Sequence, residues 1–163
     1  SFCVIISRMK EGFYMSDIKI IDLHTHTDNS QDGNHSATYM AEIAATNGIE
    51  CVAFTDHCEV DVFYTDGFDR RATQSFFEVS KAKVAFEGKL EILRGIELAQ
   101  PHYVPDLAEK IVNAQNYDVI IGSIHNLRGM KDFYDFLKTI AKETDREDAV
   151  TDSSANYHIS VIF

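Results

Sequence analysis

Asp22-Leu23-His24-Thr25-His26 closes the β-branched run Ile18-Lys19-Ile20-Ile21, and its form decides how the rest of the chain is read. Three later apolar segments end the same way, in acid or imidazole: Thr55-Asp56-His57, Gly95-Ile96-Glu97 and Gly122-Ser123-Ile124-His125. Short, almost continuously apolar runs are expected of strands buried on both faces, as in a parallel sheet. In parallel βα barrels the loops at the C-terminal strand ends converge on one mouth, where the chemistry sits. His24, His26, His57, His125 and Glu97 would then point at a common centre.

Helical signals fill the intervals. A polar loop from Thr27 to Asn34 carries the turn signal Asp32-Gly33. Ser36 is a candidate N-cap, Met40, Ile43 and Ala44 form a helical stripe, and Asn47-Gly48 closes it. Cys51 to Phe54 reads as the second strand. A loop rich in Asp, Tyr and Phe then leads to a helix over 71–87, stopped by Gly88. The third strand spans 90–98, and Pro105 opens a helix with Leu107, Ile111 and Ala114 on one face. Asp118 to Ile121 is the fourth strand, and Asp132 caps a helix bearing Phe133, Phe136, Leu137 and Ile140.

This alternation of strand and helix implies an α/β fold with a parallel sheet and right-handed crossovers. Periodicity leaves open whether the sheet closes into a barrel or stays open and doubly wound. No GxGxxG and no P-loop supports a nucleotide fold. From about Lys142 the pattern stops: a mixed charge run to Asp148, a small polar stretch, and one short candidate strand at Ser160–Phe163. The expected organisation is an N-terminal extension (1–15), a βα domain (16–141) and an irregular tail (142–163). Met15, just before the first strand, reads as the native start.

At 163 residues and 45% hydrophobic composition, the chain suits one domain with a packed core. A complete barrel usually needs roughly 200 residues or more, so the chain is short for one. Fifteen basic against 26 acidic residues give a net charge of −11, unfavourable for gripping nucleic-acid phosphates. A small anionic substrate stays open, because bound metal reverses the local potential. Cys3, Cys51 and Cys58 have no CxxC spacing and read as reduced thiols of a cytoplasmic protein. Phe2 to Ile6 is too short to span a bilayer and lacks signal-peptide features, so no membrane partner is expected.

His24 and His26 stand two apart, so an extended strand presents both to one face. Asp22 precedes them, and together they can grip a divalent ion. The plainer alternative, core histidines, loses ground because His57 and His125 repeat the strand-end position. Glu97 ends a strand that buries Ile92, Leu93 and Ile96, where an unpaired carboxylate costs several kcal/mol. Its partner is either a metal or the neighbouring Arg94. Gly122 lets the backbone approach a ligand near His125. Cys58 beside His57 reads as a small loop residue before a ligand or nucleophile. His35, His102 and His158 read as ordinary polar positions, with His102 a candidate for the mouth.

Taken in order and spacing, DLHTHT, the following Asp-Gly, TDH, GIEL and IGSIH resemble the PHP (polymerase and histidinol phosphatase) superfamily. The likeness runs from about Asp17 to Phe136 and is greatest to bacterial histidinol-phosphate phosphatases. It implies a distorted (βα)₇ TIM-like barrel and up to three divalent ions, zinc, manganese or iron. By that resemblance His24 and His26 bind one metal, and Glu97 bridges it to a second held also by His125. Asp32 and His57 bind a third, with Asp28 as an alternative in the same loop. The family's downstream ligands, a lone His and an Asp-x-His, have no counterpart here, since only His158 follows His125. The resemblance therefore covers about four βα units.

The implied function is metal-dependent hydrolysis of a small phosphomonoester, L-histidinol phosphate in histidine biosynthesis, with Arg128 either a phosphate clamp or a surface arginine. The rivals are another PHP phosphoesterase acting on diesters or nucleotides, and a non-catalytic metal-binding remnant. A partial barrel would also expose an open edge and invite self-association.

Overall fold

The computed structural model describes residues 19–130 and the backbone of 161–162. The expected N-terminal extension, the helix from Asp132 and most of the tail lie outside the described residues. Strand β1 (Ile20–Thr25) leads through a loop to helix α1 (Ala37–Thr46), then β2 (Ile49–Phe54) and a short β3 (His57–Glu59). Helix α2 (Phe68–Ala85) precedes the long β4 (Glu91–Ala99). A 3₁₀ turn (Pro101–Tyr103) and helix α3 (Pro105–Asn113) lead to β5 (Val119–Ser123), and β6 is Val161–Ile162.

Local chemistry accounts for the helix ends. Ser36 caps α1 by accepting from the Tyr39 N–H, and Asn47 ends it before Gly48 at φ +75°. Pro105 occupies the first turn of α3, where a missing N–H costs nothing. That helix buries Ala108 and Ile111, while Ala114 falls beyond its end and is exposed. Helix α2 begins at Phe68, before the expected Arg71, because Phe68 is itself a buried anchor.

The sheet order is β1-β2-β4-β5-β6, with β3 also paired to β4. Pairs β1/β2, β2/β4, β3/β4 and β4/β5 are parallel, whereas β6 runs antiparallel to β5. From β1 to β5 the strands follow one another across the sheet with no reversal of direction. A doubly wound sheet starts centrally and reverses. The single winding, curled with helices outside, is that of part of a TIM-like barrel.

Strand alternation divides the core in two. Val52, Phe54, Leu90 and Ile92 pack outwards on α1 and α2, through Ala37, Ala41, Val79 and Ala82. Cys58, Ile96 and Leu98 pack outwards with Phe68, Ala108 and Ile111. Ala53, Val119 and Ile121, with Leu23 and Leu93, fill the inner face. Continuing that inner row towards the C-terminal ends reaches Thr55 and His57, Gly95 and Glu97, then Ser123 and His125. A floor of small apolar residues thus lies beneath a polar mouth.

On the outer face of mid-β4, beside the start of β5, Arg94 is engaged with Asp118. Its Nε and Nη2 each lie 2.9 Å from the carboxylate oxygens, Lys83 adds a third contact at 2.9 Å, and the guanidinium stacks on Phe76. Hydrogen bonds from Arg94 hold the Asp118 carboxyl well below its usual range. A lowered folded pKa gives stability that is present above the unfolded value of about 4 and lost as pH falls below it. Asp118→Asn should therefore cost about 1 kcal/mol at pH 7. Denaturant unfolding should show that difference shrinking progressively below pH 4.

Candidate metal centre

Four histidines and three acids meet at the C-terminal ends of β1, β3, β4 and β5. Glu97 is the hub, with a fully buried side chain. Its Oε1 lies 3.1 Å from His125 Nε2 and 3.9 Å from His24 Nε2. Its Oε2 lies 3.2 Å from His26 Nε2 and 3.1 Å from His57 Nδ1. Parallel pairing sets His57 opposite Glu97, which is in turn opposite Ile121, so neighbouring strands aim their ends at this carboxylate.

The outward nitrogens have partners of their own. His24 Nδ1 is 2.7 Å from Thr55 Oγ1, His26 Nδ1 is 3.0 Å from Asp32, and His125 Nδ1 is 2.7 Å from Glu59. His57 is turned the other way, with Nε2 3.5 Å from Asp32. Rings succeed one another edge to face: centroids of His24 and His26 are 4.8 Å apart, His26 and His57 4.3 Å, His57 and His125 4.9 Å.

Asp32 reaches this cluster because its loop is tied down. Asp56 is buried and accepts from the Thr27 N–H at 2.6 Å, the Thr27 hydroxyl at 2.7 Å, the Ser30 hydroxyl at 2.7 Å and the Ser75 hydroxyl. Ser30 in turn accepts from the His57 N–H at 3.0 Å. One acid thereby joins loop, β3 and α2. Gly33 has no room for a side chain, since a Cβ there would sit 1.8 Å from the Thr27 carbonyl oxygen. Asp28 is exposed, and its N–H bonds the His35 carbonyl.

Charge and burial compete throughout. Burial would raise the Glu97 carboxyl, but hydrogen bonds from His125 and His26 and the nearby imidazolium charges hold it far below its ordinary value. The same contest, won by His125 and His57, takes Glu59 down to about 2. Asp32 is likewise lowered, by His26 and His57 against burial. Burial would lower the histidines, yet Glu59 and Glu97 carry His125 up to about 9, and Asp32 and Glu59 carry His57 up to about 10. Four imidazoles and three carboxylates thus share one array in which positive charge, from protons or from cations, balances the acids.

The donor set fits divalent metal. His24, His26 and Glu97, then His26, Asp32 and His57, then His57, Glu59 and His125 each bring ligand atoms within 4.8 Å of one another. Imidazole and carboxylate together suit zinc, manganese and iron. Arg94 is not the partner of Glu97, being bound to Asp118. Cys58 points into the outer core and burial pushes its thiol up to about 12, so it is neither ligand nor nucleophile. Arg128 stacks on Tyr103 and donates to its carbonyl at 3.1 Å, on the loop beyond His125. His35 and His102 make tilted ring contacts with Tyr39 and Tyr103.

Sequence reasoning missed Glu59 and Thr55. Thr55 is the first residue of the TDH motif, Glu59 lies two residues beyond its histidine, and the spacing His57-x-Glu59 repeats that of His24-x-His26. The signal was present, but the segment was read as loop. A cavity of about 670 Å³ opens between β1 and α1, bounded by His24, His26 and Asp32 on one side and Tyr39, Met40 and Ile43 on the other.

The sequence matches the PHP domain over residues 22–161, and the chain belongs to that family. It is 26% identical over 136 residues to a histidinol-phosphatase of Lactococcus lactis subsp. lactis (strain IL1403), covering 80% of this chain and 49% of the relative. A probable histidinol-phosphatase of Deinococcus radiodurans is 24% identical over 111 residues, 66% of this chain and 43% of the relative. The crystal structure of a histidinol phosphate phosphatase from the same Lactococcus strain, complexed with zinc, L-histidinol and phosphate, shares the fold. It aligns with a TM-score of 0.50 at 21% identity, over 66% of this chain and 40% of that one. The chain spans about half the length of the curated relatives it matches. Among the described residues no helix is long and apolar enough to cross a membrane.

Gly95 supplies a test of how the site is supported. A Cβ there would lie 2.5 Å from Thr55 Cγ2 and 2.8 Å from the Phe54 carbonyl. Gly95→Ala should cost about 1–3 kcal/mol through overpacking and displace Thr55 from His24. Thermal unfolding and zinc titration of the same preparation should both register the change.

Proposed function

We propose that this chain forms the metal-binding part of a phosphomonoester hydrolase whose substrate is L-histidinol phosphate. One observation carries the reading: a fully buried carboxylate, Glu97, shared by four imidazoles at the mouth of a parallel βα sheet. The family membership and the histidinol-phosphatase relatives support it.

In this reading His24 and His26 would hold one cation, Glu97 and His125 a second, and Asp32 and His57 a third. Divalent ions bound there would supply binding for phosphate oxygens and a water acidic enough to ionise near pH 7. The chain's own contribution is arrangement. Glu97 keeps positive charges close together, the imidazole partners fix ring orientation, and the apolar floor of Ala53, Leu93, Val119 and Ile121 limits water beneath the site. The cavity beside β1 has the size expected for a small-molecule site and presents the metal-facing residues along one wall. Arg128 would offer phosphate only those N–H groups that Tyr103 leaves.

The test is Glu97→Gln, with bound metal and turnover measured in one preparation. Wild-type protein loaded with zinc or manganese should hydrolyse L-histidinol phosphate faster than bis-p-nitrophenyl phosphate. The variant should lose turnover by more than the roughly 10–100-fold that removing an outer partner of a ligand costs, together with bound metal. Full metal content with near-normal turnover would rule out the bridging role. Preference for the diester would point to a different phosphoesterase.

A further inference from the structure

We infer that Glu59 is a positioning residue: it holds the Nδ1–H of His125 and so commits that ring to coordinate through Nε2. The inference rests on the metal reading above and adds a residue to it. Glu59 lies outside the ligand set that the sequence motifs assign.

Placement comes first. Strand β3 pairs in parallel with β4, with His57 opposite Glu97 and Glu59 opposite Ala99. Alternation along β3 puts Glu59 on the inner face with His57, while Cys58 between them joins the outer core. Glu59 therefore stands one step beyond Glu97, on the far side of the His125 ring. Its Oε1 lies 2.7 Å from His125 Nδ1, while Glu97 Oε1 lies 3.1 Å from His125 Nε2. The ring is thus clasped between two carboxylates, one on each nitrogen.

The chemistry distinguishes the two acids. A neutral imidazole has one N–H and one lone pair, and the hydrogen bond made by the first decides where the second points. One ring cannot offer both nitrogens to a single ion. Nε2 lies 3.1 Å from Glu97, the carboxylate that the other histidines share, whereas Nδ1 lies against Glu59 Oε1, which is also 3.5 Å from His57 Nδ1. At 2.7 Å the Glu59 contact is a short, charge-assisted hydrogen bond. The same division holds at His24, where Thr55 takes Nδ1 and Nε2 faces Glu97, and at His26, where Asp32 takes Nδ1. Glu59 completes the pattern for the ring carried by β5.

Zinc affinity and ring coordination test this in the purified chain, without recourse to turnover. Zinc is titrated against a chromophoric chelator, and ¹⁵N-histidine spectra of zinc-loaded protein are assigned by comparison with His125→Gln. The wild type should show His125 with protonated Nδ1 and metal-bound Nε2. Glu59→Ala should bind the same number of zinc ions about 10–100-fold more weakly and lose the single Nδ1–H form. Glu59→Gln, whose amide oxygen still accepts, should keep that form with a smaller loss of affinity. Loss of one zinc equivalent in both variants would make Glu59 a ligand and overturn the inference. Unchanged affinity and an unchanged His125 pattern in Glu59→Ala would overturn it as well. If circular dichroism shows Glu59→Ala unfolded, Glu59→Gln decides alone: Nδ1–H and full zinc stoichiometry support the inference, and loss of either defeats it. Intact zinc binding with no hydrolysis of histidinol phosphate would defeat the hydrolase reading and leave this one standing.

Discussion

A carboxylate with no exposed surface, surrounded by four imidazoles, is the constraint around which this structure is arranged. An isolated ionised group in that position would cost several kcal/mol, so its neighbours must supply compensating charge. The surrounding acids raise the pKa of His26, His57 and His125, which favours their charged forms, and divalent cations can supply the same charge. The fold meets the demand by register. Strand β4 runs past both β2 and β3, and that length lets Glu97 stand opposite His57 while Leu93 still closes the floor. Gly95, two residues earlier, gives Thr55 the space to reach His24.

A second buried acid does structural work of another kind. Asp56 has no role among the ligands and takes hydrogen bonds from Thr27, Ser30 and Ser75. It fixes the loop that delivers Asp32 and, through Ser30, the backbone of His57. Two acids flanking the same histidine thus have opposite tasks. Glu97 gathers charge at the centre, and Asp56 ties the surrounding chain with neutral donors.

Much of this was legible in the sequence, and for definite reasons. The strands are apolar on both faces because helices cover one side and the inner layer the other, so their runs stood out. Ser36, Asn47-Gly48 and Pro105 marked helix ends by local chemistry that tertiary packing did not override. Single winding was not legible, since hydrophobic period carries no information about which side of the sheet a strand joins. Strand β3 was hidden because three residues show no period, and Glu59 was hidden with it. Arg94 stood as the alternative to a metal partner for Glu97 because it is close in sequence. On a strand, three residues apart means opposite faces, and Arg94 lies on the outer face with Asp118.

Anomalous diffraction at the zinc edge, on crystals of this chain grown with zinc, addresses the central claim most directly. Peaks are expected within about 2.0–2.2 Å of ligand atoms, with Glu97 bound to two of them, one shared with His24 and His26 and the other with His125. Zinc bound elsewhere, or a cluster that keeps its imidazole–carboxylate contacts with no peak against Glu97, would contradict it.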